Sequence, residues 1–456
     1  MSNSEIKNKS YIFLSDSYDI DNINLDNEND NNLIHTLTVN LPLISLGFQT
    51  YLHRTQLSFL NILNNKKLPD ADKNSDNMFY YIINPFENII SNYNDNLDNL
   101  SKLYFNIQDD IVNINSKSFY KLWEILFIFN IANNELNCAI ISDNSLPIVQ
   151  AIVNYRKKFN FYNINDKIFN IDINSKNLEI DQEIIQEKKG QMDNKKILNF
   201  YNNMYKLLSI EKNNKYTKKS NIININKTGK DIKKNLDKFT KDNDTKINLI
   251  ISDSNTLWKN PIFKEQEFYV NFIQNIINSL KILNINGNFI LKIYETFTFV
   301  SIKLIYILSC CFDKIYFYKP YFSRQSDSDK YLILKNFKFD QNKDKKILNN
   351  LILSLQNIID NYDNSKYIFD IFPNLNIPIN LNDKIKNINI KIANQQQICI
   401  NEIIKFINED NYYGDKYHKY KEIQIESTKW WVSIFYPPSN NLMIKNKEFF
   451  EQDFQI

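Results

Sequence analysis

The chain has 456 residues, of which 43% are hydrophobic and 14% aromatic, enough for two or three domains of ordinary size and too apolar for wholesale disorder. Its 55 Lys plus Arg stand against 52 Asp plus Glu, so the net charge of +3 excludes a histone-like basic binder but allows a local basic groove. Four scattered cysteines exclude a disulfide framework, and three histidines give little basis for a zinc cluster.

The amino terminus, MSNSEIKNKS, is polar and lacks the apolar core of a signal peptide. Asn/Asp-rich runs follow, with one apolar island from Leu41 to Leu60 and a polar break from Asp70 to Asn77. Residues 1–77 are therefore expected to be a partly disordered extension. From Met78 to about Asp340 the pattern is regular. Apolar strand-like runs recur at Cys138–Ser142, Ile247–Ser252, Asn288–Ile293, Lys314–Tyr318 and Tyr331–Lys335. Several are almost continuously apolar, as in strands buried on both faces.

Helical patterns separate these runs at Pro147–Lys158, which opens with proline, at Ile262–Leu283 and at Phe299–Phe312. Strands alternating with such helices predict an α/β sheet with helices on both faces over residues 78–340. The Lys- and Asn-rich stretch between Asn213 and Asp244 reads as a mobile surface loop. Residues 341–456 read as an appended helical and aromatic region. It has helices at Lys345–Tyr362 and Gln397–Asn408 and an aromatic tail, KWWVSIFYPP, expected to pack on the preceding domain. The longest apolar stretch, Phe297–Phe312, is interrupted by Lys303 and is too short to span a bilayer. No membrane association is expected, and the few cysteines suit a reducing, cytoplasmic setting.

The residues with the most chemical content lie between Ile250 and Phe337. Asp253 ends a buried strand, and that edge of an open α/β sheet is where ligands bind. Lys292 sits inside an otherwise apolar strand, which is costly unless the ammonium is paired. The order of motifs is Asp253, then Gly287 and Phe289 with Lys292, then Lys319 and Pro320, then Ser323, Arg324, Ser328, Asp329 and Tyr331. This series resembles the FtsJ-type RNA ribose 2′-O-methyltransferases, especially the cap-specific branch of eukaryotes and large DNA viruses. Upstream, KSFYKLWEIL (Lys117–Leu126) resembles the family's helix that carries a first catalytic lysine. LGFQTYLHRT and YYIINPFE also resemble viral members, so the likeness covers about Leu46 to Phe337.

The resemblance implies a Rossmann-like methyltransferase sheet, S-adenosyl-L-methionine as methyl donor, and RNA, specifically capped mRNA, as substrate. It implies contact with capping or transcription machinery and, for a viral protein, a place in host cytoplasm or virion. The implied catalytic set is Lys121, Asp253, Lys292 and Asp329, with Asp329 standing where the family has Glu. Lys292 would accept the ribose 2′-OH proton, a cationic Lys121 would favour its neutral amine, and the two acids would orient it. Lys117, Lys319, Ser323 and Arg324 would contact RNA, with the basic residues converging in a groove.

The implied donor site is Ser142, Asp143, Asn144, Ser145, Asp231 and Asp253. Here the sequence departs from the family: SDNSLP replaces a glycine-rich turn in a chain with only 5 glycines. Two outcomes are open at this turn: Asn144 or Ser145 adopts the left-handed backbone in place of glycine, or side chains fill the donor pocket. The alternative function is a catalytically impaired relative acting as an RNA-binding or scaffolding subunit of a capping or virion complex.

Overall fold

Alternation along the run 137–142 sends Ala139 and Ile141 to one face and Cys138 and Ile140 to the other, and all four are buried. This strand is therefore central, and covered on both sides. The computed structural model describes residues 11–15, 17–20, 32–38, 46–65, 82–86, 114, 116–172, 198–204, 222–226, 246–254, 263–363, 365–409 and 414–437. Its strands are β1 (Tyr11–Ser15), β2 (Leu33–Thr36), β3 (Asn137–Ser142), β4 (Lys167–Asp172), β5 (Ile222–Asn226), β6 (Ile247–Ser252), β7 (Leu283–Ile293), β8 (Phe312–Lys319), β9 (Lys330–Phe337) and β10 (Tyr367–Ile371).

Eight of them form one sheet in the order β1-β8-β9-β7-β6-β3-β4-β5. The five strands β5, β4, β3, β6 and β7 are parallel, whereas β9 runs antiparallel to β7 and β8, and β1 antiparallel to β8. The chain moves outward from β3 to β4 and β5, then returns to place β6 on the other side of β3. That reversal is a topological switch point, where the carboxyl ends of the flanking strands open a crevice. The fold is Rossmann-like, a mostly parallel sheet between helical layers.

The helices are α1 (Leu46–Asn65), α2 (Lys117–Phe129), α3 (Leu146–Lys158), α4 (Lys264–Ile282), α5 (Phe299–Cys311), α6 (Lys345–Asp360), α7 (Ile379–Asn408) and α8 (Asp415–Phe435). One core joins α4, α5 and α6 to one face of the sheet, and a second joins α2, α3 and α8 to the other. Along α4 the stripe Tyr269, Phe272, Ile273, Ile276, Ile277 and Leu280 is buried, as its spacing predicts. In α5, Lys303 is buried but not unpaired: Nζ donates to both carboxylate oxygens of Asp370 at 2.8 and 2.9 Å and to the carbonyls of Ile371 and Phe372. In β7, Asn286 takes a φ of 61° and the neighbouring Gly287 has no room for a side chain: a Cβ there would sit 2.6 Å from Leu283 Cδ1.

Several expectations need correction. The stretch 213–244 is not simply a loop, because Ile222–Asn226 forms the edge strand β5 beside β4. The first 77 residues are not all peripheral, since β1 closes the far edge of the sheet and β2 pairs with β10. Helix α7 begins at Ile379, well before Gln397, because Ile385, Ile388 and Ile392 keep helical spacing beneath a Lys- and Asn-rich outer face. The aromatic tail is largely the helix α8. No helix among the described residues is long and apolar enough to cross a membrane.

Candidate active site at the carboxyl edge of the sheet

Asp253 follows β6 directly, and its amide donates to the Ile141 carbonyl at 3.3 Å, fastening the ends of β6 and β3 together. In β7 the alternation sends Phe289 and Leu291 to the α4 and α5 face, and Ile290 to the α2 and α3 face. Lys292 shares the parity of Ile290. Its Nζ lies 3.1 Å from Asp253 Oδ1, and both side chains are about nine-tenths buried or more. Tyr331, the register partner of Lys292 on β9, donates its hydroxyl to Asp253 Oδ2 at 3.4 Å. The Tyr294 ring centroid is 5.7 Å from Lys292 Nζ. The family motif does not mark Tyr294, and its position two residues after Lys292 is the only signal for it in the sequence.

The second ion pair comes from α2. Ser116 caps this helix by accepting from the Ser118 amide at 3.3 Å, and Lys121 lies at the start of its second turn. Lys121 Nζ donates to Asp329 Oδ2 at 2.6 Å. The same carboxylate accepts from Lys319 Nζ at 3.1 Å and from the Ser323 hydroxyl at 3.1 Å. Burial opposes charge on Asp329, but Lys121, Lys319 and Lys292 together outweigh it and hold the carboxyl well below its usual range.

Lys292 is governed by the same balance. Burial favours its neutral amine, yet the charges of Asp253 and Asp329 prevail and raise its pKa above the ordinary lysine value. The resting state is therefore an ammonium. The expectation that Lys121 favours a neutral Lys292 is thus corrected, because the Lys121 charge is engaged by Asp329.

Lys319 is also misplaced as an RNA contact. It is 1% exposed and donates inward to the carbonyls of Asp327 and Asp329 at 2.7 and 2.8 Å. The motif shows a lysine before proline but cannot show that the chain folds back over it. Ser323 is likewise buried, its hydroxyl committed to Asp329. Lys117 and Arg324 do come together, lining a small surface cleft with Asn84, Pro85, Phe86, Tyr321, Phe322, Ser323 and Gln325.

The donor side is built differently from the expectation. Ser142 is buried, and its hydroxyl donates to the Asp253 carbonyl at 2.6 Å while accepting from the Asn144 amide at 3.1 Å. Asp143, Asn144 and Ser145 form the turn into α3, which Arg156 anchors from its last turn by a buried two-pronged pair with Asp166 at 2.7 and 3.0 Å. Neither Asn144 nor Ser145 has the left-handed backbone; Ser145 caps the helix at φ −75°. A hydroxyl tying the two strand ends together does the work of a tight turn without glycine. Asp253 Oδ1 is buried, with Lys292 as its ionic partner and no well-aligned hydrogen bond among the described residues. Register places Asp172 opposite Ser142 at the end of β4, a further acid at this edge that motif reasoning missed. Asp231 lies outside the described residues.

The FtsJ-like methyltransferase family matches residues 163–337, a span that holds Asp253, Lys292 and Asp329 but neither Lys121 nor the turn at Ser142–Ser145. The chain is 33% identical over 69 residues to cap-specific mRNA (nucleoside-2′-O-)-methyltransferase 2 of Drosophila melanogaster, covering 15% of this chain and 10% of that protein. It is 38% identical over 60 residues to cap-specific mRNA (nucleoside-2′-O-)-methyltransferase 1 of Homo sapiens, covering 13% of this chain and 7% of that protein. An uncharacterised protein of Acanthamoeba polyphaga mimivirus is 26% identical over 175 residues, covering 38% of this chain and 46% of that protein. The matched regions thus span less than half the length of each of these relatives. Residues 163–337, which hold the carboxyl-edge acids and Lys292, are similar to the FtsJ-like methyltransferases.

Proposed function

We propose that the protein is an RNA ribose 2′-O-methyltransferase that uses S-adenosyl-L-methionine and acts on capped mRNA. The observation that carries this reading is the adjacency of two buried ion pairs, Lys292 with Asp253 and Lys121 with Asp329, at the switch-point edge of the sheet. A structural lysine needs one partner; here Lys292 feels both acids, and the Tyr331 hydroxyl completes the enclosure.

Methyl transfer to a ribose hydroxyl is an in-line displacement that chiefly requires alignment and removal of one proton. S-Adenosyl-L-methionine, when bound, supplies the electrophilic methyl carbon. Ser142, Asp143, Asn144, Ser145 and Asp253 would line its site. Lys292 would hold the 2′-oxygen and take its proton at Nζ. Because the resting Lys292 is an ammonium, it must first release its proton to solvent water, and positive charge brought beside Asp253 favours that loss. Lys121 and Lys319 would keep Asp329 ionised and in place. Lys117 and Arg324 would take RNA phosphates at the cleft. The homology to proteins named as cap-specific methyltransferases supports the choice of substrate.

One observation favours a second reading, an inactive RNA-binding relative. The Ser142 hydroxyl bridges the ends of β3 and β6, bonding the Asp253 carbonyl where the family has a glycine-rich turn. The test that separates the two is calorimetric titration with S-adenosyl-L-methionine, followed by transfer of a labelled methyl to capped RNA and nuclease mapping of the product. Donor binding with a nuclease-resistant 2′-O-methylated dinucleotide supports the enzyme. RNA binding with no detectable donor affinity supports the second reading.

A further inference from the structure

The cleft lined by Lys117 and Arg324 has two walls, and neither is held by the family-matched residues alone. One wall is the segment 82–86, where the Gln424 side-chain amide of α8 donates to the carbonyls of Ile82 and Asn84 at 2.8 and 3.1 Å. The other is the loop after β8. There the amides of Tyr321 and Phe322 donate to the two oxygens of Glu124 at 2.9 and 3.2 Å. Glu124 is fully buried on α2, three residues after Lys121, and it also accepts from Tyr318 at 2.5 Å and from the Trp431 indole of α8 at 2.9 Å. Four donors converge on one carboxylate, so removing any of them disturbs the geometry of the rest. The walls touch each other as well: the Gln325 amide donates to Asn84 Oδ1 at 3.2 Å, and the Phe86 and Phe322 rings lie 5.4 Å apart.

We infer that Gln424 and Trp431, in a carboxy-terminal helix outside the family-matched span, are positioning residues of the RNA cleft, setting its two walls through the backbone of 82–84 and, via Glu124, of 321–322. The inference rests on the reading of this cleft as an RNA site. Helix α8 is thereby a determinant of substrate binding and not merely a cover for the core. Neither residue touches the Lys292 and Asp253 pair, so their effect is expected in RNA affinity and KM, with kcat and donor affinity retained.

The test uses the full chain with Trp431→Phe, which keeps an aromatic ring but removes the indole donor, and with Gln424→Met, which keeps length but removes the amide. Hydrogen exchange of peptides covering 82–86 and 319–326 is read alongside the dissociation constant for a capped RNA oligonucleotide, with Arg324→Ala as a direct cleft variant. The expected result is faster exchange in the targeted wall and RNA affinity weakened roughly 5- to 20-fold, the usual scale for one lost hydrogen bond to a charged or buried group. Donor affinity should stay within about twofold. Unchanged exchange and unchanged RNA affinity in both variants overturn the proposal. Should Trp431→Phe fail to fold, the Gln424→Met result decides. Arg324→Ala that weakens RNA binding while neither helix variant does so defeats the positioning role alone. Arg324→Ala with wild-type RNA affinity defeats the cleft reading on which it rests.

Discussion

Lys121 Nζ and Asp329 Oδ2 lie 2.6 Å apart although 208 residues separate them in the chain. The contact joins α2 on one face of the sheet to the turn before β9, and it fixes the acid beside the Lys292 ammonium. Lys121 shares the hold on Asp329 with Lys319 and the Ser323 hydroxyl.

Lys292→Ala is expected to reduce methyl transfer by roughly 100-fold or more, the scale of a lost general base. RNA and donor dissociation constants should change little, because the interaction matters mainly in the transition state. Single-turnover kinetics beside equilibrium binding check this. Transfer at the wild-type rate would remove Lys292 from the mechanism.

Lys319→Ala should act on stability, not on RNA affinity. It leaves the buried Asp329 with one fewer cation and two carbonyls without their donor, a loss of about 3–5 kcal/mol for breaking a buried pair. Lys117→Ala, at a half-buried position on the first turn of α2, should cost much less, about 1 kcal/mol. Urea denaturation of the two variants distinguishes an internal strut from a surface contact.

Asp329 also predicts an acid dependence of stability. Its folded pKa lies well below the ordinary 3.8, so it contributes stability that is fully present above that pH and declines as pH falls toward the folded value. Asp329→Asn lacks this contribution. The variant should be less stable than wild type at pH 6, and the two denaturation free energies should converge as pH is lowered below about 4. Parallel curves down to pH 2 would contradict the charge balance described for this acid.

RNA binding should weaken with salt. For single-stranded RNA each phosphate contact contributes about 0.7 to the slope of log affinity against log salt. Lys117→Ala and Arg324→Ala should each flatten that slope by about this amount, whereas Lys319→Met should leave it unchanged. Fluorescence anisotropy across a salt series measures it directly.

The amino-acid sequence by itself determined the alternation of buried strands and helices, because period-2 and period-3.6 apolar patterns are local properties of the chain. It also marked Asp253, Lys292 and Asp329, whose spacing within one stretch follows from the order of β6, β7 and β9. Elements with polar or composition-biased sequence were less legible: β5 lies in a Lys- and Asn-rich run, β1 in a terminal segment, and the first half of α7 under a charged face. Their status depended on neighbours the local pattern does not contain. The tertiary structure alone decided what each charge meets. Lys117, Lys121 and Lys319 look alike as single basic residues near motifs, yet one lines a cleft, one is bound to Asp329, and one is buried under carbonyls. It likewise decided the protonation of Lys292, since burial and the opposing carboxylates both arise from residues brought together across the sheet. A side chain's charge state and reach depend on distance and solvent exclusion, which long-range folding sets.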